Sequence, residues 1–233
     1  MRIQDQPAFV LHRRQYSESS LLLDAFTPEY GRIGLIARGA RGSKSALPAL
    51  LQPFQELRLD FSGTGELQRL TRAEPVGIGL ALRSERVLAG LYCNELIGRL
   101  VPRNDPHVGL YERYRRILLD LSGSSTLAWC LRRFERDLLD DLGYAADFAH
   151  DASGSGLDPN GKYQFAAESG FVLVADRNEG FSGHALLAML NADEPLPEQL
   201  RELRRLFRTL ISQHLRGEPL RSWGLMAGLS RSN

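Results

Sequence analysis

The sequence predicts an α+β chain, a small all-β unit followed by a helical one, and three observations lead there. Apolar residues in the first third alternate with polar ones or form short β-prone runs between Gly and Pro turn signals. From Ser84 onward they recur at helical spacing. The two patterns meet once, near residue 80, and no internal repeat blurs the change. The expected domains are therefore 1–80 and 81–233, each able to bury its own core in a chain of 233 residues.

In chain order, "PAFVLHRR" (7–14) and "SLLLDAF" (20–26) are β-prone runs. "PEYG" (28–31) is a turn, with Pro28 setting φ and Gly31 closing it. "RIGLIAR" (32–38) is the return strand. In "ELRLDF" (56–61), Leu57, Leu59 and Phe61 alternate with Glu56, Arg58 and Asp60, the clearest period-two segment in the chain. "GTG" (63–65) turns into a fifth strand over 66–76. Five short strands with no long helix predict a small closed barrel or sandwich.

Helices are expected over 84–101, ended by Pro102, and over 107–121 and 125–143, where Gly143 is placed to close the C-terminus. "DASGSGLDPNG" (151–161) is a loop by composition. "KYQFA" and "GFVLVA" read as a small β-hairpin within the 146–180 region. Helices over 183–192 and 196–217 complete the chain.

Composition excludes several classes of function. Hydrophobic residues make up 43% and charged residues 24%, as in ordinary soluble domains, and the net charge is +1, so polyanion binding would need local clustering. Cys93 and Cys130 are too few for a disulfide framework and fall in helical apolar stretches, which fits a reducing cytoplasm. No signal-like or membrane-length apolar run is seen, so neither secretion nor membrane insertion is expected. No catalytic residue is picked out: the nucleophile-elbow, zincin and paired-cysteine motifs are missing. No metal or other cofactor is expected either. The five histidines have no ligand spacing, and Asp137, Asp140 and Asp141 alternate with Arg132, Arg133 and Arg136 as a solvated ion-paired face would.

One window stands out. Between Glu29 and Glu56 lie twenty-six positions without a carboxylate, and they hold Arg32, Arg38, Arg41 and Lys44. Its centre, "ARGARGSKS" (37–45), fails as a nucleotide-binding loop because Ser43 separates Gly42 from Lys44. A solvated turn is the ordinary reading of such a segment. The uncompensated charge favours a site for nucleic-acid phosphates on a small β-barrel, with Arg14 extending it and Tyr30 as a candidate stacking residue. On the last helix, Arg201, Arg204, Arg205 and Arg208 form a second basic stripe opposite Leu203, Phe207, Leu210 and Ile211.

Across nearly its whole length the sequence resembles the bacterial recombination mediator family RecO. The resemblance rests on "AFVLHRRQYSESSLLLDAFTPEYGRIGLIARGAR", "LLQPF", "LYCNELIGRL", "RRFERDLLDDLGY" and "GEPLRSWGL" in that order. It implies an N-terminal OB-fold and a helical C-terminal domain, and a DNA-binding protein of repair and recombination with no catalysis. Single- and double-stranded DNA, RecR, the acidic C-terminal tail of single-stranded-DNA-binding protein and, indirectly, RecA are the implied partners, and a cytoplasmic, nucleoid-associated location follows. Arg132 and Arg133, on the best-matched helix, are the expected contacts for the acidic tail. Many members carry a Cys-rich zinc motif in the segment matching 146–175; this chain has no Cys there, so zinc is not carried over. The alternative function is a protein–protein adaptor with an OB-like domain and incidental DNA affinity.

Overall fold

The computed structural model describes residues 2–42, 45–175, 180–215 and 217–229, the last four of these in backbone only. The chain divides into two compact units, Met1–Ser124 with Leu220–Asn233, and Ser125–Pro219.

The first unit is built on a closed five-stranded barrel, β1 (Arg2–Gln15), β2 (Leu21–Thr27), β3 (Gly31–Ala37), β4 (Glu56–Ser62) and β5 (Leu67–Pro75). Its order is β1-β2-β3-β5-β4, with β3 and β5 parallel and every other pair antiparallel, an OB-type topology. The alternation read in the sequence decides what fills it: Leu57, Leu59 and Phe61 of β4 face Ile33, Leu35 and Ala37 of β3 across one core. β1 starts earlier than its apolar run because the polar segment 2–6 pairs with β4 across an irregular register, where Asp60 accepts the Asp5 amide at 2.8 Å. A one-turn helix, α1 (Leu47–Leu50), packs Leu47 and Leu50 onto the same core.

Ala8, Phe9, Val10 and Leu11 are all buried, so both faces of β1 are covered. The outward residues explain why α2 (Glu85–Leu100) and α3 (Val108–Ser122) join this unit rather than standing apart at residue 80. Phe9 meets the rings of Tyr111 and Tyr114 at 5.4 and 5.1 Å, and Phe26 meets them at 5.7 and 6.3 Å. Buried Asn94 donates to the Leu11 carbonyl at 2.9 Å and accepts from the Tyr114 hydroxyl. After α2 the chain returns to β3: the Asn104 amide donates to the Arg32 carbonyl, and Gly31, at φ +62°, leaves room for the Asp105 carbonyl, 1.9 Å from where a Cβ would stand. α7 (Arg221–Leu229) closes the unit against α2, its Ser222 hydroxyl and the amides of Arg221 and Ser222 donating to Glu95.

The second unit holds α4 (Leu127–Asp141), α5 (Gly183–Asn191), α6 (Pro197–His214) and a three-stranded sheet ordered β7-β6-β8, from β6 (Lys162–Ala166), β7 (Gly170–Leu173) and β8 (Phe181–Ser182). The apolar faces of α4 (Leu131, Phe134, Leu138) and α6 (Leu203, Phe207, Leu210) are buried. Phe148 bridges the sheet and α6, 5.5 Å from Phe171 and 6.1 Å from Phe207. The 151–161 loop is held by hydrogen bonds: Asp151 accepts from Ser153 and Ser155, and the Ala152 amide donates to the Phe171 carbonyl. Among the described residues no three His, Cys, Asp or Glu side chains stand close enough to hold a metal ion, and no helix is long and apolar enough to cross a membrane.

Glu202 fastens α6 to the sheet, accepting from the Lys162 ammonium at 2.8 Å and from both the amide and the hydroxyl of Ser182 at 2.7 Å. Burial raises its carboxyl, but these hydrogen bonds outweigh that and hold it below the usual carboxylate range. A depressed folded value means the stability it contributes is present above the unfolded pKa and is lost as pH falls through the folded one. Glu202→Gln is expected to cost about 2 kcal/mol at neutral pH and to flatten the acid-side decline. Thermal melts of both proteins from neutral pH down to about pH 3 check this.

Candidate nucleic-acid interface

The 38–42 part of the basic window lies at one corner of the barrel, against the 16–20 loop. Gln15 pairs with Leu21 and Leu21 with Ala37, so the end of β1 and the end of β3 flank the start of β2. In that register Arg14 is opposite Leu22 and Leu22 opposite Ile36, two residues before Arg38, which directly follows β3. The 38–42 segment is an ordered turn: Gly39 lies at φ +68°, the Gly42 amide donates to its carbonyl at 3.1 Å, and Ala40 is fully buried. Arg41 ties this turn to the 16–20 loop, its amide donating to the Ser19 carbonyl at 3.0 Å and its guanidinium to the Ser17 carbonyl at 2.9 Å. Arg13 turns toward α1 and donates to the Pro48 carbonyl at 2.5 Å. The side chains of Arg13, Arg14, Gln15, Leu21, Arg41 and Pro48 line a cleft of about 440 Å³. Arg14, Arg38 and Arg41 are exposed, and among the described residues none of the three is paired with a carboxylate. Lys44 lies outside the described residues.

Two members of the expected site are placed elsewhere. Arg32 points away from the corner toward Gly98 of α2, with its side chain 14% exposed and its guanidinium 3.9 Å from Asp24. The same Asp24 oxygen accepts from Arg103 at 3.2 Å. Burial pushes the Asp24 carboxyl up against the pull of Arg32 and Arg103, and burial pushes the Arg32 guanidinium down against the pull of Asp24. Burial thus works against the charge on both partners, the desolvation cost that ion pairs withdrawn from water meet. Arg32 thus has a carboxylate where a phosphate was expected. Tyr30 is half-buried, edge-on to Phe61 at 5.8 Å, with its amide donating to Thr27. Its ring packs against the barrel core.

In the second unit the residues expected to take a partner peptide differ sharply. Arg132 is 5% exposed, paired with buried Glu135, and lies 5.9 Å over the Phe207 ring. It supports the core. Arg133 is half-buried, so it is the one of the two that retains some exposure. Arg201, Arg204, Arg205 and Arg208 are exposed along α6. A cleft of about 540 Å³ is lined by Arg205, Arg208, Thr209, Ser212 and Gln213. Glu202, the acidic residue inside that stripe, is turned to Lys162 and Ser182, which leaves the stripe more basic than the sequence indicates. Sequence reasoning does not pick out Arg103, since it sits beyond a helix in a connection with no period and meets Asp24 only through tertiary structure.

Comparison with known proteins agrees with this architecture. The family model described as "Recombination protein O N terminal" matches residues 1–78, and "Recombination protein O C terminal" matches residues 82–224. The chain is 41% identical over 238 residues to the DNA repair protein RecO of Xanthomonas oryzae pv. oryzae, covering 99% of both chains. It is 41% identical over 219 residues to the DNA repair protein RecO of Vibrio parahaemolyticus, covering 93% of this chain and 90% of the relative.

Proposed function

The chain belongs to the RecO family, and from that premise we propose that it is a non-enzymatic mediator of DNA repair and recombination that binds and anneals DNA strands. The observation that supports this most directly is the corner of exposed Arg14, Arg38 and Arg41, none of them paired with a carboxylate among the described residues. Annealing requires two strands to approach with their charge screened and their base edges free. Guanidinium groups that hold phosphates meet both demands. Four to six phosphates neutralised on a single strand would give a slope of log K against log[salt] of roughly −3 to −4.

Within this reading the protein works with RecR and helps RecA load on DNA coated by single-stranded-DNA-binding protein, whose acidic tail it contacts through the second unit. Arg133 and the stripe Arg201, Arg204, Arg205 and Arg208 have the exposure such a contact needs, and guanidinium groups suit carboxylates. Double-stranded DNA would meet the same basic surfaces, and the site of action would be the cytoplasmic nucleoid. The decisive experiment is annealing of complementary oligonucleotides coated with the cognate single-stranded-DNA-binding protein, with and without its acidic tail. Acceleration that needs the tail supports the whole reading. Retention of bare single strands at ~150 mM salt without any annealing would favour a binding module alone, and no retention at all would favour the adaptor.

A further inference from the structure

The exposed face of α6 carries its charges in two blocks. Glu198, Arg201, Arg205, Arg208 and Ser212 recur at three- and four-residue intervals and therefore lie along one line of the helix. Glu198 and the two carboxylates just before the helix, Asp193 and Glu194, stand at its N-terminal end. Arg201, Arg204, Arg205 and Arg208 occupy the middle, and all of these charged residues are exposed. Glu202, which would break the basic block, is drawn away to Lys162 and Ser182. Asp193, Glu194, Glu198, Arg201, Arg204 and Arg205 form no ion pair among the described residues. The acidic end also presents an apolar side chain. Leu196, 58% exposed, sits between Pro195 and Pro197, whose rings fix φ on either side of it, and its amide donates to the Gln199 side chain at 2.8 Å. The helix dipole accounts for a carboxylate at Glu198, but not for an exposed leucine beside it. About two turns further along the same face, Arg205, Arg208, Thr209, Ser212 and Gln213 line the cleft of about 540 Å³.

We propose that this face pairs with the same face of a second copy of the chain, the two α6 helices running antiparallel about a two-fold axis near Arg201. A two-fold contact needs residue i to meet j while j meets i, and a surface meets that need when its own opposite charges are displaced along one line. With the axis midway between Glu198 and Arg205, Glu198 of each copy faces Arg205 of the other. Asp193 and Glu194 then reach the level of Arg208, and Leu196 reaches the cleft of the other copy. The alkyl stems of Arg205 and Arg208 and the methyl group of Thr209 give that leucine apolar surface there. Arg201 meets its own counterpart at the axis, with Glu198 three residues away to offset the repulsion. A phosphate chain laid along the same line would run into the carboxylates at its acidic end, so a second copy fits the face better than a nucleic acid. A seam of about four turns buries less than the ~1,200 Å² of a stable dimer, so the pairing is weak. Its charge makes it salt-sensitive: from about 50 mM to about 300 mM salt the screening length falls from about 14 Å to about 6 Å. Paired copies cover the stripe that the reading above gives to an acidic tail, a consequence that rests on that reading as the pairing itself does not.

The test is analytical sedimentation of the intact chain across the micromolar range at about 50 mM and about 300 mM salt, without DNA. The unaltered protein is expected to gain mass toward a dimer as concentration rises at the lower salt, and to dissociate about ten-fold more readily at the higher. Glu194→Lys/Glu198→Lys and Arg205→Glu/Arg208→Glu are each expected to lose the pairing. An equimolar mixture of the two variants is expected to regain it, because each reversed block then meets its opposite. Recovery in the mixture also shows that both variants are folded. Leu196→Ser is expected to pair about five-fold more weakly with the same salt dependence, since it removes an apolar contact and no charge. An unaltered protein that stays monomeric at every concentration in low salt would overturn the proposal whatever the variants do. A dimer that survives either charge reversal, or a mixture that pairs no better than its components, would overturn it as well. None of these outcomes touches the corner at Arg14, Arg38 and Arg41, whose side chains every variant keeps.

Discussion

Alanine at Arg38, Arg41 and Lys44 together is expected to lower affinity for single-stranded DNA about a hundred-fold at 0.1 M salt, alike for every sequence, with a salt slope shallower by about 2. Arg38 makes no ion pair among the described residues and Arg41 gives its guanidinium to one exposed carbonyl, so the fold should tolerate both changes. Uniform loss across sequences distinguishes phosphate contacts from base contacts, which would penalise some sequences and spare others. Unchanged affinity would place the binding surface elsewhere. A loss confined to particular sequences would contradict a backbone-directed site.

Arg132→Ala carries the largest expected cost to stability. Removing one partner of a buried ion pair costs about 3–5 kcal/mol, and Arg132 is the guanidinium that Glu135 accepts from. Glu135 is 1% exposed and cannot relax into water, and the Phe207 ring loses its overlying guanidinium. Denaturant melts should show the second unit failing first, and Arg132→Met/Glu135→Leu should recover most of the loss, since a well-packed apolar pair avoids the desolvation that the ionic pair incurs. A loss below about 1 kcal/mol in the single variant would show that Glu135 finds another way to be solvated. The consequence for peptide binding is practical. A double alanine variant of Arg132 and Arg133 would confuse unfolding with lost contact, whereas Arg133→Ala, at a half-buried position, is the cleaner test of the proposed acidic-tail contact.

Much of the architecture was legible from local pattern. Alternation in 56–61 placed Leu57, Leu59 and Phe61 in the barrel core, and the helical period from Ser84 located α2 to α6 within a few residues of their ends. The elements not anticipated, α1, β8 and α7, are short or start outside any apolar period. The composition of the basic window was equally plain, and its Arg38 and Arg41 emerge in an ordered, exposed turn.

Which charges would act together was not legible. Arg32 sits in the same carboxylate-free window as Arg38, yet strand alternation and the return of the chain after α2 set it against Asp24 and beside Arg103. Tyr30 and Arg132 look exposed from their neighbours in sequence, yet Tyr30 packs edge-on to Phe61 and Arg132 is buried over Phe207. Local pattern was enough to set the elements, their apolar faces and the excess of positive charge, because backbone preference and side-chain period act over a few residues. The tertiary structure alone decided which arginines meet solvent and which meet a carboxylate, because Coulomb attraction and desolvation depend on distances set by strand register and chain return.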